Sequence, residues 1–383
     1  MVLGASLMSI SAFGQLTSSY FMPGSTFRGE LNPETDWDAY VAEVNGVKYE
    51  TLQAAINAAN GQTVVVLTDI DLGAATVKIP AGSAITLDLN GKTISGVCNT
   101  NQGSMIHVAN PADLTVMDSA EGGKITYARG TSGTGFGIYV EGDLILESGT
   151  IEMTGSWNLG FAVDVHPNAW ATAYTEGASF VMNGGTIENG TNTNFGGNVG
   201  IFKNTTFNMS GGTITGGTAK QGGNIYIAAN GTMVMSGGVV ENGVATEGNG
   251  SGNIRVEGTL NMTDGIIRYG KCNDNANETA ANVRFNGTVN MSGGHIYGRI
   301  IGSGTLNLSG APKIYQVSGN GDNLYRDNNL SAGGTINIGE LTEEAVIGVM
   351  TTGAAYANGT NAFANINKDV TVDPARFYPR TVM

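Results

Sequence analysis

One stretch of the sequence, SWNLGFAVDVHPNAWATAYTEGA at positions 156–178, holds the residues best suited to binding or chemistry. Trp157, Trp170 and Tyr174 offer rings that can stack on the C–H face of a sugar while neighbouring polar groups bond its hydroxyls. Asp164 and His166 lie two residues apart, so in a strand they face the same side and could form an acid–base pair. These five residues are the candidate ligand-binding residues, and Asp164 and His166 are also the candidates for catalysis.

A purely structural interpretation of the same stretch stays open. The tryptophans could fill a local hydrophobic cluster beneath a longer turn of the chain. The stretch is an insertion within a repeat, and protruding loops on a rigid scaffold commonly carry function. Both interpretations therefore predict that these residues lie together, and they differ in whether the rings face solvent.

Composition and charge exclude several classes of protein. Glycine accounts for 59 of the 383 residues, while only 13% of residues are charged and the net charge is −14. An acidic chain lacks the basic face that nucleic acid requires, so we expect no nucleic-acid partner. We find no apolar run long enough for a membrane span, and no metal-ligand set or cofactor motif. Because Cys98 and Cys272 are far apart in the repeat array, we expect no disulfide between them.

The glycine content comes from an internal repeat. Copies of one pattern are FVMNGGTIE at Phe180, FNMSGGTIT at Phe207, MVMSGGVVE at Met233 and VNMSGGHIY at Val289, with spacings of about 26 to 29 residues in the middle of the chain. A second motif, such as GNVGIF or GNIYIA, precedes the later copies. Each repeat thus holds at least two short strands with alternating apolar residues and a third strand between them.

Such a unit cannot bury its apolar face alone, so the repeats must stack. We predict an all-β, right-handed parallel β-helix of about three strands per coil and about ten coils between Val64 and Val349, of order 50 Å long. The alternation predicts an inward stripe of methionines and aliphatic residues. Its members are Met182, Met209, Met235, Met262, Met291, Ile187, Ile214, Val240, Ile267 and Ile296.

Polar residues also recur at fixed places in the repeat. Asparagines at 198, 224, 253 and 282 are expected at a corner, where stacked side chains can bond one another and tolerate left-handed backbone. Arg255 and Arg284 occupy equivalent positions one coil apart. Two interpretations stay open: they belong to a solvated face, or they contact an anion or a glycan. His295 replaces Thr, Val or Ile and is expected on a solvated face.

The domain organisation follows from where the repeat begins and ends. We interpret residues 1–14 as the remnant of an export signal, 15–40 as a linker, 41–352 as the β-helix domain and 353–383 as a strand-like C-terminal extension. A disordered or strand-like tail is the alternative for residues 1–14. YETLQAAINAAN, from Tyr49 to Asn60, predicts a short helix that covers the open end of the first coil.

At the level of families, VNGVKYETLQAAINAANGQTVVVLTD, ITLDLNGKTISG and the serial MSGGTI copies resemble right-handed parallel β-helix surface proteins of gut bacteria, within the broad pectate-lyase-like fold. The resemblance spans roughly Val44 to Thr352. It implies a secreted or cell-surface protein, with adhesion or glycan contact as its role. Lyases of this fold class hold calcium with several carboxylates beside an Arg or Lys base, and hydrolases use paired Asp with His and Arg. The sequence shows neither set.

Three functions therefore remain as hypotheses. The first is a non-catalytic surface module that contacts a glycan or a host ligand, and the second is a polysaccharide lyase or glycoside hydrolase. The third is ice binding through outward rows of threonine and asparagine. Those rows are Thr206, Thr232, Thr259, Thr288 and Thr305, with Asn208, Asn261, Asn290 and Asn307 and with Val234 in the remaining copy. The third is weakened because the outward residues after the glycine pairs (Thr186, Thr213, Val239, Ile266 and His295) do not continue the regularity.

Overall fold

A computed structural model describes residues 39–98, 103–129, 135–154, 161–166, 177–247, 250–272, 281–317, 324–325, 335–349 and 377–379. All of them except residues 39 and 40 belong to a compact unit that extends from Val41 to Met383. It is an all-β solenoid in which nearly all strand pairs are parallel, and about 3% of the residues are helical. The parallel β-helix predicted from the repeat is confirmed.

Three ladders of stacked parallel strands form the walls of the solenoid. The first ladder contains β3 (Gln62–Val66), β6 (Ala84–Asp88), β9 (Asp113–Met117), β12 (Asp143–Leu146), β15 (Ser179–Met182), β18 (Thr206–Met209), β22 (Thr232–Glu241), β25 (Thr259–Arg268), β28 (Thr288–Met291), β31 (Thr305–Gly310) and β34 (Thr335–Leu341). The second contains β4 (Ile70–Asp71), β7 (Thr93–Cys98), β10 (Lys124–Arg129), β13 (Thr150–Thr154), β16 (Thr186–Glu188), β19 (Thr213–Thr215), the second halves of β22 and β25, β29 (His295–Tyr297), β32 (Lys313–Val317), β35 (Val346–Val349) and β36 (Phe377–Pro379).

The third ladder is a separate nine-stranded sheet. It contains β5 (Val77–Ile79), β8 (Gly103–Val108), β11 (Gly135–Val140), β14 (Val163–Val165), β17 (Val199–Ile201), β21 (Ile225–Ile227), β24 (Ser251–Val256), β27 (Ala281–Phe285) and β30 (Arg299–Gly302). Nine strands are separated by eight steps, so the chain makes about eight turns along this wall. The expectation of about ten coils also counted the C-terminal levels, where the first two ladders continue to β34 and β36.

Short pairings complete the described strands. A three-stranded ladder of β20 (Thr218–Ala219), β23 (Val244–Ala245) and β26 (Lys271–Cys272) lies between the second and third ladders in chain order. The antiparallel hairpin of β1 (Ala42–Val44) and β2 (Val47–Tyr49) pairs through β1 with the edge of β3. Near the other end, β33 (Leu324–Tyr325) pairs antiparallel with β32.

The interior is the predicted apolar stripe, because residues two apart in a strand point to the same side. All ten residues named for the stripe are at most 1% exposed, and the methionines stack in register from turn to turn. Phe180 and Phe207 stack face to face in the same core, with centroids 4.6 Å apart. The methionines therefore serve packing, as predicted.

In the glycine pairs at the corner between the first two ladders, each of the two glycines is required for a different physical reason. A Cβ on Gly211, the first of one pair, would collide with the backbone carbonyl oxygen of Asn183 in the preceding turn. The second glycine, Gly212, adopts a φ of +77°, a conformation that residues with a Cβ rarely accept. Close approach and backbone conformation together explain why the pair recurs.

A ladder of buried asparagines connects successive turns at the point where the chain enters the third wall. Asn198 Nδ2 donates to Asn224 Oδ1 at 2.8 Å, Asn224 donates to Asn253 at 2.8 Å, and Asn253 donates to Asn282 at 2.6 Å. The predicted side-chain bonds are confirmed. The left-handed backbone is found instead at other asparagines, including Asn189 with a φ of 63°.

The first turn is covered by a short helix, α1 (Leu52–Ala58), which begins after Thr51. The Thr51 Oγ1 atom accepts a hydrogen bond from the Ala54 backbone N–H at 3.2 Å, a typical N-terminal cap. The Gln53 side chain bonds both the N–H and the C=O of Lys78, and thereby occupies the free edge of β5. No helix in the described ranges has the length and apolarity to cross a bilayer.

Candidate functional site

The third ladder positions the two described residues of the predicted site. Asp164 is the middle residue of β14, between the core residues Val163 and Val165, so its side chain points away from the core. It belongs to one outward row that crosses all nine strands. The row consists of Lys78, His107, Tyr139, Asp164, Gly200, Tyr226, Arg255, Arg284 and Ile301. We call this outward surface, with the residues directly after each strand, the third-ladder face.

Trp157, Trp170 and Tyr174 lie outside the described residues, on either side of β14 in the chain. Their part in a binding platform stays a prediction. Asp164 and His166 are brought together: His166 Nδ1 lies 3.9 Å from Asp164 Oδ1. That separation is longer than a hydrogen bond, and Asp164 Oδ1 has no hydrogen-bond partner among the described residues.

Burial controls the chemistry of Asp164. Its side chain is only 1% exposed although it points away from the core. Removal of the carboxylate from water disfavours the charged form, so burial raises the pKa of Asp164 well above its ordinary value. The group can hold a proton under conditions where an exposed aspartate is ionised, which is the property of a general acid.

Gly200 takes the position next to Asp164 in the following turn. A Cβ on Gly200 would collide with the ring of Phe161, which therefore lies over this glycine. The absence of a side chain at Gly200 admits an aromatic ring beside Asp164. The ring contributes to an apolar environment near the carboxyl group.

His166 is held by an aromatic contact. Its imidazole stacks on the ring of Phe202, with centroids 4.2 Å apart and planes 9° from parallel. Burial lowers the pKa of His166, and the negative charge of Glu141 acts in the opposite direction. His166 is thus neutral over more of the acidic range than an exposed histidine, and can donate or accept a hydrogen bond.

One turn earlier, a second polar pair lies on the same face. His107 Nε2 is 2.8 Å from Glu141 Oε2, and both side chains are partly exposed. Glu141 follows β11 directly, just as His166 follows β14, and the backbone N–H of His166 bonds the Val140 carbonyl. His107, Glu141, His166 and Asp164 therefore form one polar patch across three turns.

A continuous series of aromatic rings borders this patch. The rings, in order of contact, are those of Tyr139, Phe136, Phe161, Phe202, Tyr226 and Phe195. Neighbouring centroids lie 4.7–6.5 Å apart, the range in which aromatic side chains attract one another. Phe136, Phe195, Phe202 and Tyr226 are half-buried, so each of these residues keeps part of its surface in contact with solvent. We call these six residues the aromatic run.

Further along the row, Arg255 and Arg284 stand one turn apart, as the sequence predicted. Arg255 Nε donates to Glu257 Oε1 at 2.8 Å, which neutralises one of the two positive charges. Burial and the neighbouring Arg255 lower the pKa of Arg284. The face therefore changes along the solenoid from aromatic and acidic to basic.

The aromatic run was not predicted from the sequence. The signal was available in GFGIYV, GIF and IYI, where an aromatic residue occupies or adjoins the outward position of the third strand. Those positions could not be assigned to one surface until the register between turns was known. The described residues contain no group of three or more His, Cys, Asp or Glu side chains that is arranged to hold a metal ion, and neither cysteine forms a disulfide.

The outward threonine row of the first ladder is as regular as predicted. Threonines stack in register through Thr206, Thr232, Thr259, Thr288, Thr305 and Thr335. Asn290 donates to Asn261 at 2.7 Å and Asn337 donates to Asn307 at 2.7 Å, so the amides bond one another. The corresponding row of the second ladder passes from Thr213 to Val239 and is irregular, also as predicted.

Comparison with known proteins gives no relative. No family model, no curated protein and no solved structure matches the chain. The resemblance to surface β-helix proteins of gut bacteria is therefore supported at the level of the solenoid fold alone.

Proposed function

We propose that the third-ladder face binds carbohydrate and that the chain is a non-catalytic, secreted or cell-surface module for glycan or host contact. The observation that carries the proposal is the aromatic run beside the polar patch. Flat rings bind the C–H faces of sugars, and a small number of placed polar groups bond the hydroxyls. The third-ladder face offers both on one rigid wall.

The polar patch supplies the hydrogen bonds that a sugar requires. Glu141 offers acceptor oxygens, and the histidines at 107 and 166 offer ring nitrogens within the same three turns. Because these groups stand on strands or directly after them, little conformational entropy is lost when a ligand binds. Trp157, Trp170 and Tyr174 flank β14 in the chain, and we include them as further stacking residues of the same platform.

The exported location is part of the proposal. It rests on the export-signal interpretation of residues 1–14 and on the resemblance to bacterial surface β-helix proteins. A stacked solenoid with few charged residues presents a long, rigid surface, which suits repeated contact with an extended glycan.

A glycan array with the purified chain tests the proposal. We expect binding that Phe202→Ala together with Tyr226→Ala reduces at least tenfold. Tyr269→Asn serves as the matched control, since Tyr269 is an exposed tyrosine on a different part of the surface with a φ of 58° that asparagine tolerates. An array without binders, or binding that the double variant retains in full, would exclude the third-ladder face as the site.

One observation favours a second function, that of a polysaccharide lyase or glycoside hydrolase. Asp164 is a buried carboxyl group with a raised pKa, and Glu141 is a second carboxylate that lies one turn earlier on the same face. Glycoside hydrolysis uses one protonated and one ionised carboxyl group in this way. Release of reducing ends from a bound polysaccharide by the wild type, and its loss in Asp164→Asn, would support catalysis over binding alone.

A further inference from the structure

A second concave site lies at the corner between the first and second ladders, near the C-terminal end of the solenoid. It is a half-open cleft of about 360 Å³. Its polar lining residues are Thr263, Asp264, Ser292, His295, Lys313 and Glu344. They come from four successive levels of the first two ladders, on a wall of the solenoid different from the third-ladder face.

His295 is the most unusual residue of this cleft. The sequence predicted a solvated side chain, but the ring is half-buried, with its centroid 3.5 Å from that of Tyr297 and 4.4 Å from that of Tyr315. Burial and the ammonium group of Lys313 lower the pKa of His295 to about 4, against a hydrogen bond with the Tyr315 backbone. The imidazole is therefore neutral at neutral pH.

Within the described residues, only one of the two ring nitrogens of His295 has a hydrogen-bond partner. Its Nε2 atom is buried and has no partner among the described residues. Since Nε2 has no such partner, we assign the hydrogen bond with the Tyr315 backbone to Nδ1, which then carries the proton. Nε2 is thus left as an acceptor, and a buried acceptor without a donor costs free energy until a donor is supplied.

Charge in the cleft limits what can bind there. Lys313 forms no ion pair within the described part of the chain, and Asp264 and Glu344 contribute negative charge to the same lining. The two carboxylates repel an anion, the ammonium group repels a cation, and the described residues contain no metal-ligand cluster. An uncharged ligand with several hydroxyl groups can accept a hydrogen bond from the ammonium group and donate hydrogen bonds to the carboxylates at the same time.

We propose that this cleft binds an uncharged sugar residue, with His295 Nε2 accepting a hydroxyl proton, Lys313 donating to a hydroxyl oxygen, and Asp264 accepting from a further hydroxyl. The hydroxyls of Thr263 and Ser292 border the same space, and the ring of His295 offers an apolar surface. The volume lies within the usual range for small-ligand pockets and fits a mono- or disaccharide.

The chain contains three histidines, and they report on the two sites separately. His107 and His166 lie on the third-ladder face, whereas His295 lines the cleft. Ring ¹⁵N spectra can therefore follow each site during a titration with sugars. The panel consists of methyl glycosides of glucose, galactose, mannose and N-acetylglucosamine, and of their disaccharides. We expect saturable shifts of the His295 signals with at least one of these sugars, also in the Phe202→Ala/Tyr226→Ala variant.

Variants of the lysine complete the test. Lys313→Ala should raise the Kd measured at His295 at least fivefold, whereas Lys220→Ala, which removes an exposed lysine elsewhere, should leave it unchanged. His295 signals that no sugar of the panel moves, or that move only with phosphate or acetate, would overturn the proposal. An unchanged Kd in Lys313→Ala would overturn it as well. Shifts at His295 without shifts at His107 and His166 would support the cleft and contradict the third-ladder face.

Discussion

The Nδ1 atom of His166 lies 3.9 Å from Oδ1 of Asp164, close enough for electrostatic interaction and too far for a hydrogen bond. The carboxyl group is almost fully buried, and this oxygen gains no bond that offsets the loss of water. Burial of this carboxyl group therefore lowers the free energy of unfolding. Buried groups with perturbed pKa values are concentrated at functional sites, which is why we place Asp164 at the centre of the candidate site.

The first prediction concerns stability. Asp164→Asn should raise the free energy of unfolding at pH 7 by about 1–3 kcal/mol, a typical size for a single substitution, because the amide does not ionise and so removes the cost of keeping a proton on the buried carboxyl group. Asp113→Asn on the exposed edge of β9 is the control and should change it by less than about 0.5 kcal/mol. Chemical denaturation followed by circular dichroism measures both. A loss of stability in Asp164→Asn would mean that the charged form is well stabilised.

The sign of the pH dependence follows from the raised pKa. The folded chain keeps its proton on Asp164 at pH values where the unfolded chain, with a pKa of about 3.9, has lost it. Stability from this group is therefore complete below about pH 3.9 and is lost as the pH rises through the folded-state pKa. The gain from Asp164→Asn should shrink toward zero as the pH falls to that range. A gain that grows on acidification would contradict this account.

The histidines give a second prediction. His295 should titrate at about pH 4, and His166 should titrate below the ordinary histidine value, as measured by ring ¹⁵N chemical shifts. Because the unfolded chain binds the His295 proton first, this residue should cost stability as the pH falls from about 6.5 toward 4. Lys313→Ala should raise the pKa of His295, since it removes a nearby positive charge. Titration of both His295 and His166 near pH 6.5 would show that their environments are open to water.

The asparagine ladder provides a third prediction. Asn253 bonds Asn224 and Asn282 with its side chain, and also bonds the Gly243 N–H and the Arg268 carbonyl. Asn253→Ala leaves several buried groups without partners and should cost about 2–5 kcal/mol. Asn208→Ala, on the exposed face of β18, should cost less than about 0.5 kcal/mol. Equal thermal stability of the two variants would exclude the ladder as a stabilising element.

Ice binding leads to a fourth prediction. The threonine row of the first ladder is in register over six turns, but Asn208 is followed in its row by Val234, and the row of the second ladder is irregular. We therefore expect no thermal hysteresis from the purified chain at millimolar concentration. Measurable hysteresis that Thr259→Lys abolishes would instead identify this face as an ice-binding surface.

The fold could be predicted from the sequence because the repeat encodes packing directly. Met209 and Met235 recur with the same neighbours, so alternation fixes which side faces the core, and stacking fixes register. The corner glycines and the bonded asparagines at 198 and 224 follow from the same periodicity. The number of complete turns was less accessible, because within the described residues the third wall ends at β30, before the other two.

The candidate site could be predicted only in part. Asp164 and His166 were identified by type and spacing, but the burial of Asp164 depends on contacts between turns. Phe161 lies over Gly200, which belongs to the following turn, and Phe202 stacks on His166 from that turn as well. These contacts occur where the repeat length changes, so periodicity gives no register there. The half-buried position of His295 was missed because its tyrosine neighbours belong partly to the next turn.

The central claim is that the third-ladder face binds carbohydrate through the aromatic run. The most direct measurement is the affinity of the best glycan-array ligand for the wild type and for Phe202→Ala/Tyr226→Ala, by isothermal titration calorimetry, with Tyr269→Asn as control. We predict that Kd rises at least tenfold in the double variant, with its circular dichroism spectrum unchanged, and stays within about twofold in the control. Equal affinity in a folded double variant would contradict the account.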